Sequence, residues 1–286
     1  MKLIECPRDA MQGLPGFIPT QTKIEYLNQL LRVGFDTLDF GSFVSPEAIP
    51  QMRDTAEVLA GLDLSQTNTR LLAIVANRRG AETACTFPEI AYLGYPLSIS
   101  ETFQRRNTHR GIAESLALVA EIQAMSQMAG KALVTYISMG FGNPYGDPYN
   151  REIVLDFAQK LADMGVRIIA LADTIGASNP ENIHFLFSTL IPAFPTVEFG
   201  AHLHSTPQSV VEKLEAALAA GCCRFDGAFL GFGGCPMARD ELVGNMPMEQ
   251  MCYFLQQKGF DLGVNPTAFR KSLELAQSVF LGNEAH

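Results

Sequence analysis

The chain has no paired cysteine framework. Its six cysteines include the adjacent Cys222-Cys223 but no CxxC motif. In 286 residues this excludes a disulfide-stapled scaffold and fits a reduced, cytoplasmic compartment. No apolar run approaches the ~18 residues that span a bilayer. The opening Met1-Lys2-Leu3-Ile4-Glu5 enters a strand at once, so neither a membrane segment nor a signal peptide is expected. Basic charge is short as well: 21 Lys and Arg stand against 30 Asp and Glu, a net charge of −9. That balance argues against a surface that tracks nucleic-acid phosphates. Low-complexity stretches and linkers are missing too, so residues 1–286 read as one domain. With 47% hydrophobic and 18% charged residues, the composition is that of a globular chain able to bury a large core.

What is present is one unit, repeated. Short β-rich runs begin near Lys2, Phe35, Arg70, Pro96, Ala132, Arg167, Val197 and Cys223, most of them followed by a helical pattern that a glycine closes. The first helix opens at Pro19-Thr20, carries Ile24, Leu27, Leu30 and Leu31 as its apolar stripe, and stops at Gly34. Asn179-Pro180 and Thr206-Pro207 read as an N-cap followed by proline at the first helical position. Alternating apolar strands and helices imply parallel strands covered on their outer faces. Eight such units in about 250 residues is the size of a closed (β/α)8 TIM barrel, with a C-terminal helix to close it. An open doubly wound sheet is the competing architecture. It carries a Gly-rich phosphate turn after its first strand, where this chain has Pro7-Arg8-Asp9.

A barrel demands that chemistry collect at the C-terminal ends of its strands. Asp9 follows strand one, Asp39 closes strand two, Glu101 follows strand four and Asp173 closes strand six. Any one of these acids is as readily a helix cap or a solvated loop residue. His202-Leu203-His204 ends strand seven, and two of the chain's five histidines are here. Side chains two apart on a strand share a face, so the imidazoles form a pincer suited to a divalent metal. After strand eight comes the Gly-rich segment Gly231-Phe232-Gly233-Gly234-Cys235.

These segments, with Pro7-Arg8-Asp9 and Gln12, Ser42-Phe43-Val44-Ser45-Pro46, Pro50-Gln51-Met52, Phe141-Gly142-Asn143-Pro144-Tyr145, Asp173-Thr174-Ile175-Gly176, Gly233-Gly234-Cys235-Pro236 and Gly244-Asn245, span nearly the whole chain. Together they resemble the DRE-TIM metallolyases, most closely the 3-hydroxy-3-methylglutaryl-CoA lyase branch. The resemblance implies Mg²⁺- or Mn²⁺-dependent retro-Claisen cleavage of that thioester, or of a related 3-hydroxy-3-alkylglutaryl-CoA, to acetyl-CoA and a 3-keto acid. It further implies an acyl-CoA substrate as the partner, and a homodimer.

On this resemblance Asp9, His202, His204 and Asn245 are the metal ligands, a mixed N/O set suited to either ion. Arg8 supplies fixed positive charge to the developing enolate oxygen. Cys235 protonates the enolate carbon, since a thiol is a usable acid at neutral pH. Asp39 and His202 complete the catalytic set, and Gln12, Ser42, Tyr145, Thr174 and Asp173 contact substrate, Asp173 reading equally as support for a ligand or for Arg8. Three departures stand out: Asp39 replaces the usual Glu, no Lys follows Gln12 to meet a CoA phosphate, and the segment between Cys235 and Asn245 is longer and more charged. A condensing synthase of the same superfamily, and a non-catalytic binding barrel, are the alternatives.

Overall fold

The computed structural model describes residues 1–233 and 243–281. Eight parallel strands close into a ring: β1 (Lys2–Glu5), β2 (Thr37–Ser42), β3 (Arg70–Ile74), β4 (Ile90–Ser98), β5 (Ala132–Ser138), β6 (Ile168–Ala172), β7 (Glu198–His202) and β9 (Arg224–Gly227). The seam closes where β1 runs beside β9, Leu3 opposite Phe225 and Ile4 opposite Asp226. Two short strands, β8 (His204–Ser205) and β10 (Gly244–Asn245), pair antiparallel and set Asn245 opposite His204. The TIM barrel expected from the repeat is therefore the fold.

Helices cover the ring: α1 (Pro7–Gln12), α2 (Thr20–Leu31), α3 (Thr55–Ala60), α4 (Arg78–Cys85), α5 (Glu101–Thr108), α6 (Ile112–Met128), α7 (Arg151–Asp163), α8 (Pro180–Ala193), α9 (Val210–Ala219), α10 (Met248–Gln257) and α11 (Pro266–Leu281). In α2, Leu27, Leu30 and Leu31 are buried as the stripe requires. Each such Leu contributes about 1.5–3 kcal/mol of burial. Asn179 caps α8 as expected, its side chain accepting from the Asn182 N–H at 3.0 Å. The last helix, α11, lies on α2, where Gln29 donates to the Ala268 carbonyl at 3.1 Å and Tyr26 meets Phe280 edge-on at 5.8 Å.

Three boundaries and the role of one acid differ from the sequence expectation. Strand four begins at Ile90, not near Pro96; Gly94 weakens the pattern, and a Cβ there would lie 2.5 Å from Ile74 Cδ1, so the glycine makes room for the side chains packed inside the ring. Asp39 does not close β2, which continues to Ser42 through a register shift between Asp39 and Gly41. Helix α9 begins at Val210, because Thr206-Pro207 form a turn in which Ser209 Oγ accepts the Thr206 N–H. Glu101 opens α5, where it pairs with Arg105 and accepts the Ile112 N–H at 2.9 Å; it is a capping residue.

The barrel interior is divided. Leu72, Ile74, Tyr92, Val134, Tyr136, Ile168, Ala170 and Ala172, from β3 to β6, form one apolar cluster. Across from it, β7, β9, β1 and β2 contribute Glu198, His202, Arg224, Asp226, Lys2 and Asp39.

Candidate active site

Helix α1 starts directly after β1, with proline at its first position, and this places Arg8 and Asp9 in its opening turn at the C-terminal rim. Both are buried. Arg8 makes a fork on Asp39: its Nε lies 3.2 and 3.1 Å from the two carboxylate oxygens and its Nη2 2.5 Å from Oδ2. Its Nη1 donates to Asp9 Oδ1 at 2.9 Å and to Gln12 Oε1 at 3.0 Å, while Gln12 donates to the same Asp9 oxygen at 2.7 Å. Asp9 Oδ2 accepts from Asn245 Nδ2 at 2.7 Å.

The two histidines share a face where β7 runs into β8, their rings 5.6 Å apart. One ligand atom from each of Asp9, His202 and His204 lies within 4.8 Å of the others, so the three can hold a metal ion. Asn245 joins them through Asp9. Its Nδ2 is committed to two acceptors, Asp9 and the Phe232 carbonyl at 2.9 Å, which identifies the other amide atom as the oxygen. Gly233 makes this approach possible: its φ is +114°, and a Cβ would lie 2.3 Å from Asn245 Nδ2 and 3.0 Å from Asp9 Oδ2. The buried His204 Nδ1 has no hydrogen-bond partner among the described residues. A buried orphan nitrogen beside a carboxylate fits a site completed by a cation.

Charge follows this geometry. Burial works against the Asp9 carboxylate, but Arg8, both histidines and the Asn245 amide outweigh it and hold the group at about 2. Burial pushes the Asp39 carboxyl up to about 6 despite the Arg8 fork, leaving it ionised at neutral pH yet within reach of a proton. Burial and the neighbouring His202 lower His204 to about 4, keeping it neutral, the form that binds a metal. Burial also opposes a charged His202, but Asp226, hydrogen-bonded at 3.1 Å to its Nδ1, reverses the sign and raises it.

Asp226 is a residue the sequence reading missed, and so is Tyr136. The carboxylate fixes the His202 tautomer and aims its other nitrogen, as second partners of metal-bound histidines do. Tyr136 places its ring edge on His202 at 5.5 Å, its buried hydroxyl unpartnered among the described residues. No spacing motif announces either one; both gain meaning only from barrel closure. Cys6 lies behind them, fully buried, its Sγ within 4.8 Å of ligand atoms of His202 and Asp226.

A cavity of about 440 Å³ opens onto this cluster. Arg8, Asp9, Gln12, Ser42, Thr174, His202 and His204 line it. Thr174 also accepts the Met139 N–H at 2.9 Å, and Ser42 donates to the Ile74 carbonyl at 3.2 Å. Asp39, Tyr145 and Asp173 are not on the cavity wall. Tyr145 stacks behind Phe103 at 6.4 Å, with the Arg106 guanidinium over its ring. Asp173 holds Ser178 and, at 3.1 Å, Lys213, whose Nζ also donates to the His204 carbonyl at 2.7 Å. It thus braces a histidine backbone and does not touch Arg8. Cys235 lies outside the described residues.

A TIM barrel with a metal-capable Asp/His/His cluster and an adjacent buried arginine on its C-terminal rim defines the class. The HMGL-like family model matches residues 3–276, and the chain belongs to that family. It is 34% identical over 259 residues to hydroxymethylglutaryl-CoA lyase YngG of Bacillus subtilis, covering 88% of this chain and 83% of that one. It is 32% identical over 268 residues to the mitochondrial hydroxymethylglutaryl-CoA lyase of Bos taurus, covering 93% and 81%. Among solved structures, an HMG-CoA lyase from Acenitobacter baumannii in complex with coenzyme A and 3-methylmalate superposes with a TM-score of 0.91 at 29% identity, over 99% of this chain and 91% of that one. The Bacillus HMG-CoA lyase structure gives 0.90 at 32% identity, over 97% and 92%. No helix among the described residues is long and apolar enough to cross a membrane.

Proposed function

We propose that this chain is a divalent-metal-dependent carbon–carbon lyase that cleaves 3-hydroxy-3-methylglutaryl-CoA to acetyl-CoA and acetoacetate, or a 3-alkyl homologue to the matching 3-keto acid. The observation that carries this reading is the convergence of Asp9, His202 and His204 within 4.8 Å of one another on a cavity that Arg8 also lines. Asp9, His202, His204 and Asn245 would hold the ion, Mn²⁺ more tightly than Mg²⁺ because two imidazoles favour the softer metal. When bound, the ion lowers the pKa of the substrate's tertiary alcohol and fixes its carboxylate.

The protein's own groups carry the rest. Loss of the alcohol proton lets the carbon–carbon bond break: the oxygen becomes the ketone of the keto acid, and the bonding pair passes to the thioester fragment as an enolate. Arg8, held rigid by Asp39, Asp9 and Gln12, presents positive charge to the enolate oxygen without having to reorganise. Asp39, poised at about 6 but off the cavity wall, takes the alcohol proton through a water at the edge of Arg8. His202, on the wall with Asp226 on its Nδ1, would have its other nitrogen on the ion, so it contributes as a ligand and leaves the proton to Asp39. Cys235 returns a proton to the enolate carbon and completes acetyl-CoA. The five free cysteines among the described residues are in keeping with a reduced cytoplasm.

The test is a product assay with Mg²⁺ or Mn²⁺ on a panel of 3-hydroxy-3-alkylglutaryl-CoA thioesters, following acetyl-CoA and the keto acid together. Stoichiometric release of both is expected. If no member of the panel is cleaved while acetyl-CoA condenses with a 2-keto acid, the chain is a synthase and this reading fails.

A further inference from the structure

The segment that runs from β9 to Gly233 is held in a shape its backbone does not favour. Leu230, Gly231 and Gly233 have φ of +64°, +68° and +114°. A leucine in that region carries a steric cost that glycine escapes, so the surroundings must impose the conformation. They do so at four points. The Phe229 N–H donates to Glu5 at 3.0 Å, and the Leu230 N–H donates to Glu249 at 3.0 Å. Gly231 and Gly244 lie against each other, since a Cβ on Gly244 would stand 2.2 Å from the Gly231 carbonyl oxygen. Phe232 stacks on Phe280 of α11, the ring centres 5.0 Å apart and the planes inclined by 23°.

The last of these holds reaches the metal-capable cluster. The Phe232 carbonyl accepts from Asn245 Nδ2 at 2.9 Å, and the same nitrogen donates to Asp9 Oδ2 at 2.7 Å. Two acceptors on one amide nitrogen fix the plane of the group, and its oxygen is the atom that remains for a cation. Phe280 is itself anchored: it is fully buried, and the buried Tyr26 of α2 meets its ring edge-on at 5.8 Å. A ring seated on a second ring has a preferred offset geometry that an aliphatic side chain lacks. A continuous path therefore leads from α2 and α11, on the outside of the barrel, through two phenyl rings and one carbonyl to the Asn245 amide.

Resting on the lyase reading in which Asn245 is a ligand, we propose that Phe280 is a positioning residue for the metal centre. By stacking on Phe232 it sets the carbonyl that orients the Asn245 amide, so the end of α11 is a working part of the site and more than a cover for the barrel. A ligand held in one orientation by its second partner binds a cation without first having to be ordered. Phe280 touches neither substrate nor ion in this arrangement. It acts only through Phe232, and that restriction is what makes the role separable from ordinary core packing.

The experiment is a calorimetric titration of Mn²⁺ into the full chain carrying Phe280→Leu, Phe232→Leu or Phe157→Leu, the last replacing a buried ring of α7 that has no part in this path. Replacing either ring of the stack should weaken Mn²⁺ binding about tenfold, whereas Phe157→Leu should leave it within about twofold at a similar loss of melting temperature. In an Asn245→Ala background, Phe280→Leu should weaken binding no further, because its effect passes through that amide. Parent-like affinity in Phe280→Leu overturns the proposal. So does an equal loss in Phe157→Leu, which would make the effect one of global stability, or an additive loss in the Asn245→Ala background, which would mean another route. Exchange of the Asn245 side-chain amide protons reads the same hold in the metal-free protein: Phe280→Leu should speed it about tenfold or more, and an unchanged rate overturns the proposal. If Asn245→Ala alone binds Mn²⁺ as the parent does, the ligand reading is refuted, and the exchange rates then decide whether Phe280 orients the amide.

Discussion

The two halves of the barrel interior are built from the same strand geometry and do different work. From β3 to β6 the inward positions are Leu72, Ile74, Val134, Ile168 and Ala170, with Tyr92 and Tyr136 the only hydroxyls in the cluster. Around the seam from β7 through β9 and β1 to β2 they are ionisable: His202, Asp226, Arg224 and Asp39, with Cys6 just past the end of β1. The difference teaches where a barrel can tolerate buried charge. Each ionisable group at the seam has a partner of opposite sign or a metal-capable neighbour, as with Arg8 on Asp39 and Asp226 on His202. The apolar half excludes water beside them, which strengthens those pairings.

His204→Ala tests the division most severely. It removes a proposed ligand, and with it the unpartnered buried nitrogen, so calorimetric metal binding should vanish and turnover should fall roughly 10³-fold or more, with the barrel's circular dichroism intact. Metal affinity like the parent's would move the site elsewhere. Next comes Arg8→Gln, expected to cost roughly 10²-fold in kcat with metal affinity kept, since its contact develops in the transition state. A change confined to KM would instead make Arg8 a ground-state anchor. Asp226→Asn should weaken metal binding by about 10–100-fold, because the His202 tautomer and orientation lose their partner. An unchanged metal titration would reduce Asp226 to a buried counter-charge.

The comparison sharpens with Glu5, which is on a seam strand but packs away from the site. Burial, with Glu249 adding to it and the Phe229 N–H only partly opposing, holds its carboxyl well above 4.5. The folded chain therefore keeps a proton that the unfolded chain loses, so this stability is complete below the unfolded pKa and drains away as pH rises toward the folded one. Glu5→Gln should show a melting temperature that gains on the parent by a few degrees from about pH 5 to about pH 8. A constant gap would mean that Glu5 is already ionised in the fold. The smallest effect belongs to the apolar half: Ile168→Val should cost about 1 kcal/mol in denaturant unfolding and leave metal affinity unmoved.

Much of this was legible from residue order alone. Strand and helix periodicity specified the barrel, because parallel strands buried on both faces have few other solutions. Pro7-Arg8-Asp9 and His202-x-His204 were readable since each motif contains its own geometry, a helix start after a strand and a two-residue repeat. Asp226 was not. In Arg224-Phe225-Asp226-Gly227 it looks like any acid in a strand, and its contact to His202 exists only because β9 fits between β7 and β1. Asp39 seemed to end its strand because a register shift cannot be seen in one sequence. Glu101 fell to the ordinary alternative for an acid at a strand end, which is to cap a helix.

The bond between Asp9 and Asn245 joins positions 236 residues apart. If both hold the ion, as proposed, their coordination sphere could not form on a half-made chain, nor on one whose seam between β1 and β9 had parted. By mass action, an ion bound only to the closed ring adds its binding free energy to the whole fold, about 2.7 kcal/mol at a free concentration a hundred times its dissociation constant. So held, the ion would act as a clasp on the two ends of the ring, resisting opening and leaving when opening occurs.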